Sequence, residues 1–410
     1  MTRVFLRASV CAFGAAALAL SGCDSSAIPP SSGVGNALVS GSFAVVASDY
    51  RSTNVTLRAP DGARLTSSLL STASVGAGLS FALSGDVVLP SEPLPTRAEL
   101  VLIDRYGTNV LTFVDVVSGR VRAQLPVGTG FESNPQDFLA LEGDRALVAR
   151  FGVDPRPGDV ALDGGDDVLV VDTKTPALLR RIGLPRKDGI PARPGAFTRF
   201  GGEVYVNLHR LAPDFDRAVD ADLAVIDAAS ATLERVIPLP GLRNCGKAVF
   251  SNVGRVALAC SGLFDPARTR FDDVGAAVVV GDFVGGSFRE SERWSAVDLG
   301  ATPTGSVAWI SNDRVVASLF GSGARGDALW VFRPGERAPS EIYSASAPYV
   351  LGAIRCVPDA AFACATPDAS SSAIVQLFQG TGSAAPGVEA RPLLAPDVTG
   401  LPLRDLAFFR

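Results

Sequence analysis

Residues 168–185 read VLVVDTKTPALLRRIGLP: an apolar run ending in Asp172, a short polar turn, then alternating apolar and polar positions closing on Leu-Pro. That pattern predicts a half-buried strand, a tight turn and a second alternating strand, which together make one β-hairpin. Near copies stand on either side. Residues 110–127, VLTFVDVVSGRVRAQLPV, turn after Asp115, and residues 223–240, LAVIDAASATLERVIPLP, turn after Asp227.

More diverged copies of the hairpin's first strand occur at 54–58 (NVTLR), 276–282 (AAVVVGD, followed by a strand at 293–299), 328–332 and 373–378. Seven units therefore recur about 45 to 58 residues apart. Two further strands precede the hairpin in each unit, as at 137–141 with 146–151 or 248–251 with 255–260. Four strands per unit is the pattern of a propeller blade. The last segment, 403–409, reads as a first strand with nothing after it, while the earliest unit, starting near Ser42, lacks one. The two defects cancel if the C-terminal strand joins the N-terminal blade and leaves no open edge. The expected fold is thus all-β: a seven-bladed β-propeller of four-stranded antiparallel blades over 37–410, closed by that C-terminal strand. A solenoid would need polar capping repeats, and this chain ends in apolar LAFF. In blade two, PSEPLPTR (90–97) inserts prolines between the first two strands.

Composition agrees. Of 410 residues, 47% are hydrophobic and 19% charged, which excludes disorder, and 42 Gly with 28 Pro punctuate many short strands. A net charge of -5 gives no general attraction to nucleic acid. Lysine occurs only at Lys174, Lys187 and Lys247, so arginine carries most of the positive charge.

The N-terminus predicts an address. Arg3 and Arg7 precede an apolar run from Ala8 to Leu20, the shape of a secretory signal and too short to span a bilayer. The sequence Leu20-Ser21-Gly22-Cys23 resembles the lipobox of bacterial lipoproteins. That resemblance implies cleavage after Gly22, acylation of Cys23 and anchoring in a lipid bilayer through its acyl chains. The expected division is 1–22 signal peptide, 23–36 lipidated cysteine and flexible Ser/Pro/Gly-rich tether, and 37–410 propeller. Asp24 resembles an inner-membrane retention signal of enteric bacteria, a rule that differs between lineages. The expected location is the cell envelope, with the outer membrane favoured, facing the periplasm or the cell surface.

Cys11 leaves with the signal and Cys23 carries lipid, so four cysteines remain in the folded part. Cys245 and Cys260 are symmetric about the turn-like SNVG, and Cys356 and Cys364 about Ala360. Each pair would face across adjacent antiparallel strands, predicting disulfides Cys245–Cys260 and Cys356–Cys364 in an oxidising compartment.

At VIDAASATLERVIPLP and VVDTKTPALLRRIGLP the chain is similar to the YVTN family of seven-bladed β-propellers, in blades two to four more than in five to seven. The resemblance implies the fold and often an extracytoplasmic setting, without implying one activity.

Loops joining second to third strands, and blade to blade, share one face of a propeller, and three predicted loops there are long: 153–167, 210–222 and 264–275. Their candidate binding rim is Asp154, Arg156, Asp163, Asp214, Asp216, Arg217, Asp265, Arg268, Arg270 and Asp272. No cofactor is expected; calcium is the cation that clustered carboxylates would suit, although no loop has the spaced EF-hand pattern. His209, the single histidine, ends a strand in VYVNLHRL and reads as a satisfied rim residue. No G-x-S-x-G elbow is present. Trp294, Trp309 and Trp330 fall in strands and read as packing between blades. The expected function is a membrane-anchored, non-catalytic binding or scaffold module whose long-loop face engages an envelope protein or ligand. The alternatives are a lactonase-like propeller enzyme and a surface adhesion module.

Overall fold

The computed structural model describes residues 38–265, 270–322, 324–357, 364–379 and 387–410; side chains of 264–273 are not described. Seven four-stranded antiparallel sheets form the blades of a ring. The first contains β1 (Phe43–Ser48), β2 (Thr53–Arg58) and β3 (Leu70–Ser71). The second is β4 (Val87–Val88), β5 (Glu99–Asp104), β6 (Val110–Asp115) and β7 (Arg120–Pro126). The third is β8 (Pro135–Ala140), β9 (Arg145–Val153), β10 (Gly165–Asp172) and β11 (Ala177–Gly183). The fourth is β12 (Pro194–Phe200), β13 (Glu203–Leu208), β14 (Asp222–Asp227) and β15 (Thr232–Pro238). The fifth is β16 (Val249–Phe250), β17 (Val256–Asp265), β18 (Arg270–Val284) and β19 (Ser287–Ser295), followed by a single helical turn, α1 (Ala296–Leu299). The sixth is β20 (Pro303–Ser311), β21 (Arg314–Leu319), β22 (Ala328–Phe332) and β23 (Ser340–Ser344). The seventh is β24 (Arg355–Cys356), β25 (Cys364–Asp368), β26 (Ala373–Gln379) and β27 (Val388–Leu394).

The last strand, β28 (Leu403–Phe408), pairs with β1 in the register Phe43↔Phe408 and Val45↔Leu406, giving the order β28-β1-β2-β3. The seven-bladed propeller and its predicted closure are therefore both present. Burial explains the sequence pattern. Third strands lie between neighbouring blades and are buried on both faces, as in β10 and β14, whereas the outermost strands β11 and β15 alternate because one face meets water. The cores lie between blades: Leu111 and Phe113 of blade two pack with Phe138, Val148 and Leu169 of blade three. Trp294 and Trp309 are buried between blades five and six, and each indole N–H crosses to the other blade, at Glu336 O (3.1 Å) and Val249 O (3.0 Å).

Both predicted disulfides are present. Cys245 and Cys260 stand opposite each other with Cα atoms 3.8 Å apart. The flanking bonds Gly246 N–H to Ala259 O and Ser261 N–H to Asn244 O make this a non-hydrogen-bonded pair, where side chains approach most closely. Two strand assignments change. The described part of 264–275 is not an open loop, because β17 and β18 continue past the blade as an arm pairing Leu263↔Asp272 and Asp265↔Arg270. The strand expected at 293–299 stops at Ser295, whose hydroxyl accepts from Asp298 N–H and caps α1. Among the described residues no helix is long and apolar enough to cross a membrane.

Candidate functional site: a funnel closed at one end

Each blade begins at its innermost strand, so seven short stretches converge on the ring axis: 85–88, 136, 195–196, 246–247, 304–307, 352–355 and 404–405. They line a cavity of about 620 Å³, within the size range of small-molecule sites. Its mouth carries residues from second-to-third-strand and blade-to-blade connections: Tyr50, Arg105, His209, Phe320 and Tyr349. That is the long-loop face. Glycine recurs where the inner strands begin because the backbones crowd there. A Cβ on Gly195 would lie 2.6 Å from His209 Nε2 and Asn207 Nδ2, and one on Gly246 would strike the Gly305 backbone.

The other end of the channel is blocked by the proline-rich segment of blade two. Leu94 forms a parallel bridge with Phe409, its N–H donating to Phe408 O (2.8 Å) and its carbonyl accepting from Arg410 N–H (3.2 Å). Leu89 N–H donates to Asp405 (2.9 Å), and the Lys247 ammonium binds Ser91 O (3.1 Å) and Glu92 (2.6 Å). One segment of blade two is thereby tied to blades one and five. Asp137 of blade three adds the central knot. Its Oδ1 accepts from the N–H groups of Ser91 and Phe138 (both 2.8 Å), and its Oδ2 from the Ser91 hydroxyl (2.5 Å) and Phe197 N–H (2.7 Å). Burial, the largest influence, pushes the Asp137 pKa up, and these donors with nearby Lys247 pull the other way. Pro90, Pro93 and Pro95 suit the task, since a segment crossing a crowded axis has few partners for backbone N–H groups and proline has none to satisfy.

Apart from Lys247, which Glu92 neutralises, the wall from blades four and five is uncharged and internally satisfied. His209 Nδ1 lies 2.7 Å from Asn244 Oδ1, and Asn207 Nδ2 lies 3.0 Å from His209 Nε2. With Nδ1 as donor and Nε2 as acceptor, the ring is a neutral imidazole. Asn207 Oδ1 accepts from Ala196 N–H (2.6 Å), and Asn244 Nδ2 donates to the Ser261 hydroxyl (2.8 Å). Burial lowers the His209 pKa, the Asn244 bond raises it, and Arg193 lowers it further. The Cys245–Cys260 bridge joins the residues next to Asn244 and Ser261, fixing the pair that orients the imidazole. The polar residues at alternate positions of the apolar stretch VYVNLH were the available signal for this wall.

The wall from blades seven, one and two is cationic. Arg105 pairs with Asp86 (2.5 Å) and Arg355 with Asp405 (3.2 Å). Arg404 is different. The β1–β28 register shifts between Val46↔Asp405 and Ala47↔Leu403, so Arg404 is a bulge residue whose side chain is re-aimed. Its Nε donates to Ser48 O (3.1 Å) and its guanidinium lies 4.9 Å from the Tyr50 ring centroid. Among the described residues it has no carboxylate partner. Tyr50 and Tyr349 are both exposed at the mouth with φ of 65° and 60°, a conformation uncommon for bulky residues.

Asp154, Arg156, Asp163, Asp214, Asp216 and Arg217 of the predicted rim are not among the residues lining this funnel. Asp154 Oδ1 accepts from Arg156 N–H (2.8 Å), and Asp163 accepts from the N–H groups of Gly158 and Val160 (both 2.9 Å), bonds that lower its pKa. Asp214, Asp216 and Arg217 are exposed together on the blade-four loop, where the two carboxylates interact, lowering the pKa of Asp214 and raising that of Asp216. Asp265, Arg270 and Asp272 are placed by backbone alone on the β17–β18 arm, and Arg268 and Cys23 lie outside the described residues. Beneath the loops are buried pairs that composition did not single out. Arg150 forks onto Asp167 (2.8 and 2.7 Å) and also binds Val127 O and Leu162 O; Arg210 binds Asp222 (2.6 Å). Among the described residues no group of three or more His, Cys, Asp or Glu is placed to hold a metal ion.

No family model matches the chain, and no curated protein is significantly similar to it in sequence. Solved structures do share its shape. A putative 6-phosphogluconolactonase from Bacteroides uniformis superposes with a TM-score of 0.52 at 12% identity, over 90% of this chain and 98% of that one. A dihydro-heme d1 dehydrogenase in complex with DHE gives 0.50 at 14%, over 90% and 73%. Hydrazine synthase of Kuenenia stuttgartiensis gives 0.50 at 13%, over 73% and 79%. Identities this low establish the β-propeller fold and nothing about activity.

Proposed function

We propose that this protein is a non-catalytic binding module, lipid-anchored in a bacterial cell envelope, and that its ligand site is the funnel. The observation that carries the reading is the crossing of one end of the central channel by residues 89–94, bonded to blades one, three and five, with the pocket's mouth on the long-loop face. A pocket of this volume surrounds a small ligand with residues from seven blades, each held by its own sheet. The one imidazole in the wall has both ring nitrogens engaged by amides, which suits a fixed hydrogen-bonding surface better than a proton-transferring base.

The direction of the chain supports the anchored arrangement. Strand β1 runs toward Ser48 at the mouth, so residues 38–42 lie at the closed face, where Gly41 N–H donates to Phe409 O (3.2 Å). A tether leading back from there to an acylated Cys23 would leave the funnel facing away from the membrane. Two experiments test the reading. Palmitate labelling should be lost in Cys23→Ala, and persistent labelling would remove the anchor. Crosslinking and capture from intact envelopes, comparing native protein with Ala353→Trp, whose indole would fill the funnel, should lose the bound ligand or partner in the variant. Equal capture by both would place the binding surface elsewhere.

A further inference from the structure

Resting on the funnel as the ligand site, we infer that it selects a small oxyanion, a carboxylate or phosphate ester, whose acidic group sits between Arg355 and Arg404. Four cationic side chains and two carboxylates line the cavity among the described residues, in a chain whose net charge is -5. The excess is not evenly distributed. Arg105 is matched by Asp86, and Lys247 by Glu92 of the plug. Arg355 and Arg404 stand on the inner strands of adjacent blades; Arg404 has no carboxylate partner among the described residues, and Arg355 pairs with Asp405.

That carboxylate is already heavily used. Asp405 accepts from Leu89 N–H and Leu406 N–H (both 2.9 Å), and meets Arg355 through a single nitrogen at 3.2 and 3.4 Å. The Arg355 Nε is buried without a hydrogen-bond partner. With that nitrogen closed off, the guanidinium depends on charge-assisted partners for its remaining N–H groups, and Arg355 lines the cavity. Arg404 supplies the second arm, carried into the funnel by a bulge and braced through Nε and the Tyr50 ring, with its terminal nitrogens available for a fork-like contact. By contrast, the neutral amides of blades four and five bond to one another. An anion therefore gains most on the blade seven to blade one side.

The test uses the soluble 37–410 protein, titrated by calorimetry with inorganic phosphate, 3-phosphoglycerate and citrate, and with glycerol and glucose as neutral probes. At least one anionic probe should bind, weakening about 10- to 100-fold in Arg404→Gln and less in Arg404→Lys, as expected for loss of a charge-assisted bond. Binding by native protein should also fall as NaCl rises from 50 to 500 mM, a readout that needs no variant. Binding of the neutral probes alone, or anion binding indifferent to both Arg404→Gln and salt, would overturn the oxyanion assignment while leaving the funnel as a site. If no probe binds and Ala353→Trp also leaves envelope capture unchanged, the funnel reading itself falls. If no probe binds but capture is lost in Ala353→Trp, the funnel stands and the small-oxyanion assignment is overturned.

Discussion

Replacing Asp137 with alanine should open the closed end of the channel. The carboxylate is 1% exposed and accepts four hydrogen bonds, from the N–H groups of Ser91, Phe138 and Phe197 and from the Ser91 hydroxyl. Alanine strands three backbone donors; the Ser91 hydroxyl keeps Phe197 O at 3.1 Å. Each buried unsatisfied donor costs about 1–3 kcal/mol, and removing a buried charge returns part of its desolvation cost. Water entering the vacated space offsets more, so the expected net loss is about 3–5 kcal/mol, with Asp137→Asn near half of that because one acceptor remains. Chemical denaturation measures the loss, and hydrogen exchange locates it. Protection should fall at residues 89–94 well before the outer strands. A loss below about 1 kcal/mol, or unchanged exchange at Ser91 and Leu94, would refute the claim that this residue holds the plug.

Other outcomes follow from the same contacts. His209 should titrate below the 6.5 of an unperturbed imidazole, because burial and Arg193 disfavour the cation. A lowered folded pKa means its contribution to stability is full above pH 6.5 and is lost as pH falls through the folded value; the single imidazole resonance, with His209→Gln as control, checks this, and a titration at or above 6.5 would contradict it. Replacing Cys245 and Cys260 with serine, opening a link of 15 residues, should cost about 3 kcal/mol in denaturation experiments and release the Asn244–His209 contact. Non-reducing peptide mapping that found Cys245 joined to Cys356 would contradict the blade-five register. Arg150→Met should lose about 3–5 kcal/mol by leaving buried Asp167 short of its principal partner, measured as a shift in the denaturation midpoint.

The fold was legible because the third strand of each blade is a buried run, which recurs in seven places, and in blades two to four it is followed by a clearly alternating partner with one face in water. The disulfides were legible from their symmetry about turns. The funnel was not. Its wall takes one to four residues from the start of each inner strand, and β4, β16 and β24 have only two residues each in the ladder, too few for any periodicity. The Asp and Arg residues of 153–167 and 210–222 drew attention by composition, yet Asp154 and Asp163 serve the turns of their own loop. The prolines at 90–95 were visible as a break in blade two. Only closure of the ring brings Ser91 beside Phe197, which lies 106 positions along the chain. Likewise nothing local marks Arg404, whose direction depends on a bulge against a strand more than 350 residues away.

The most direct test of the funnel as the binding site is hydrogen–deuterium exchange of the 37–410 protein, with and without the low-molecular-mass fraction of an envelope extract. Protection gathered at 85–88, 304–307 and 349–355, and abolished by Ala353→Trp, is the expected result. Protection confined to the outer strands or to the closed face around Leu94 and Phe409 would contradict it.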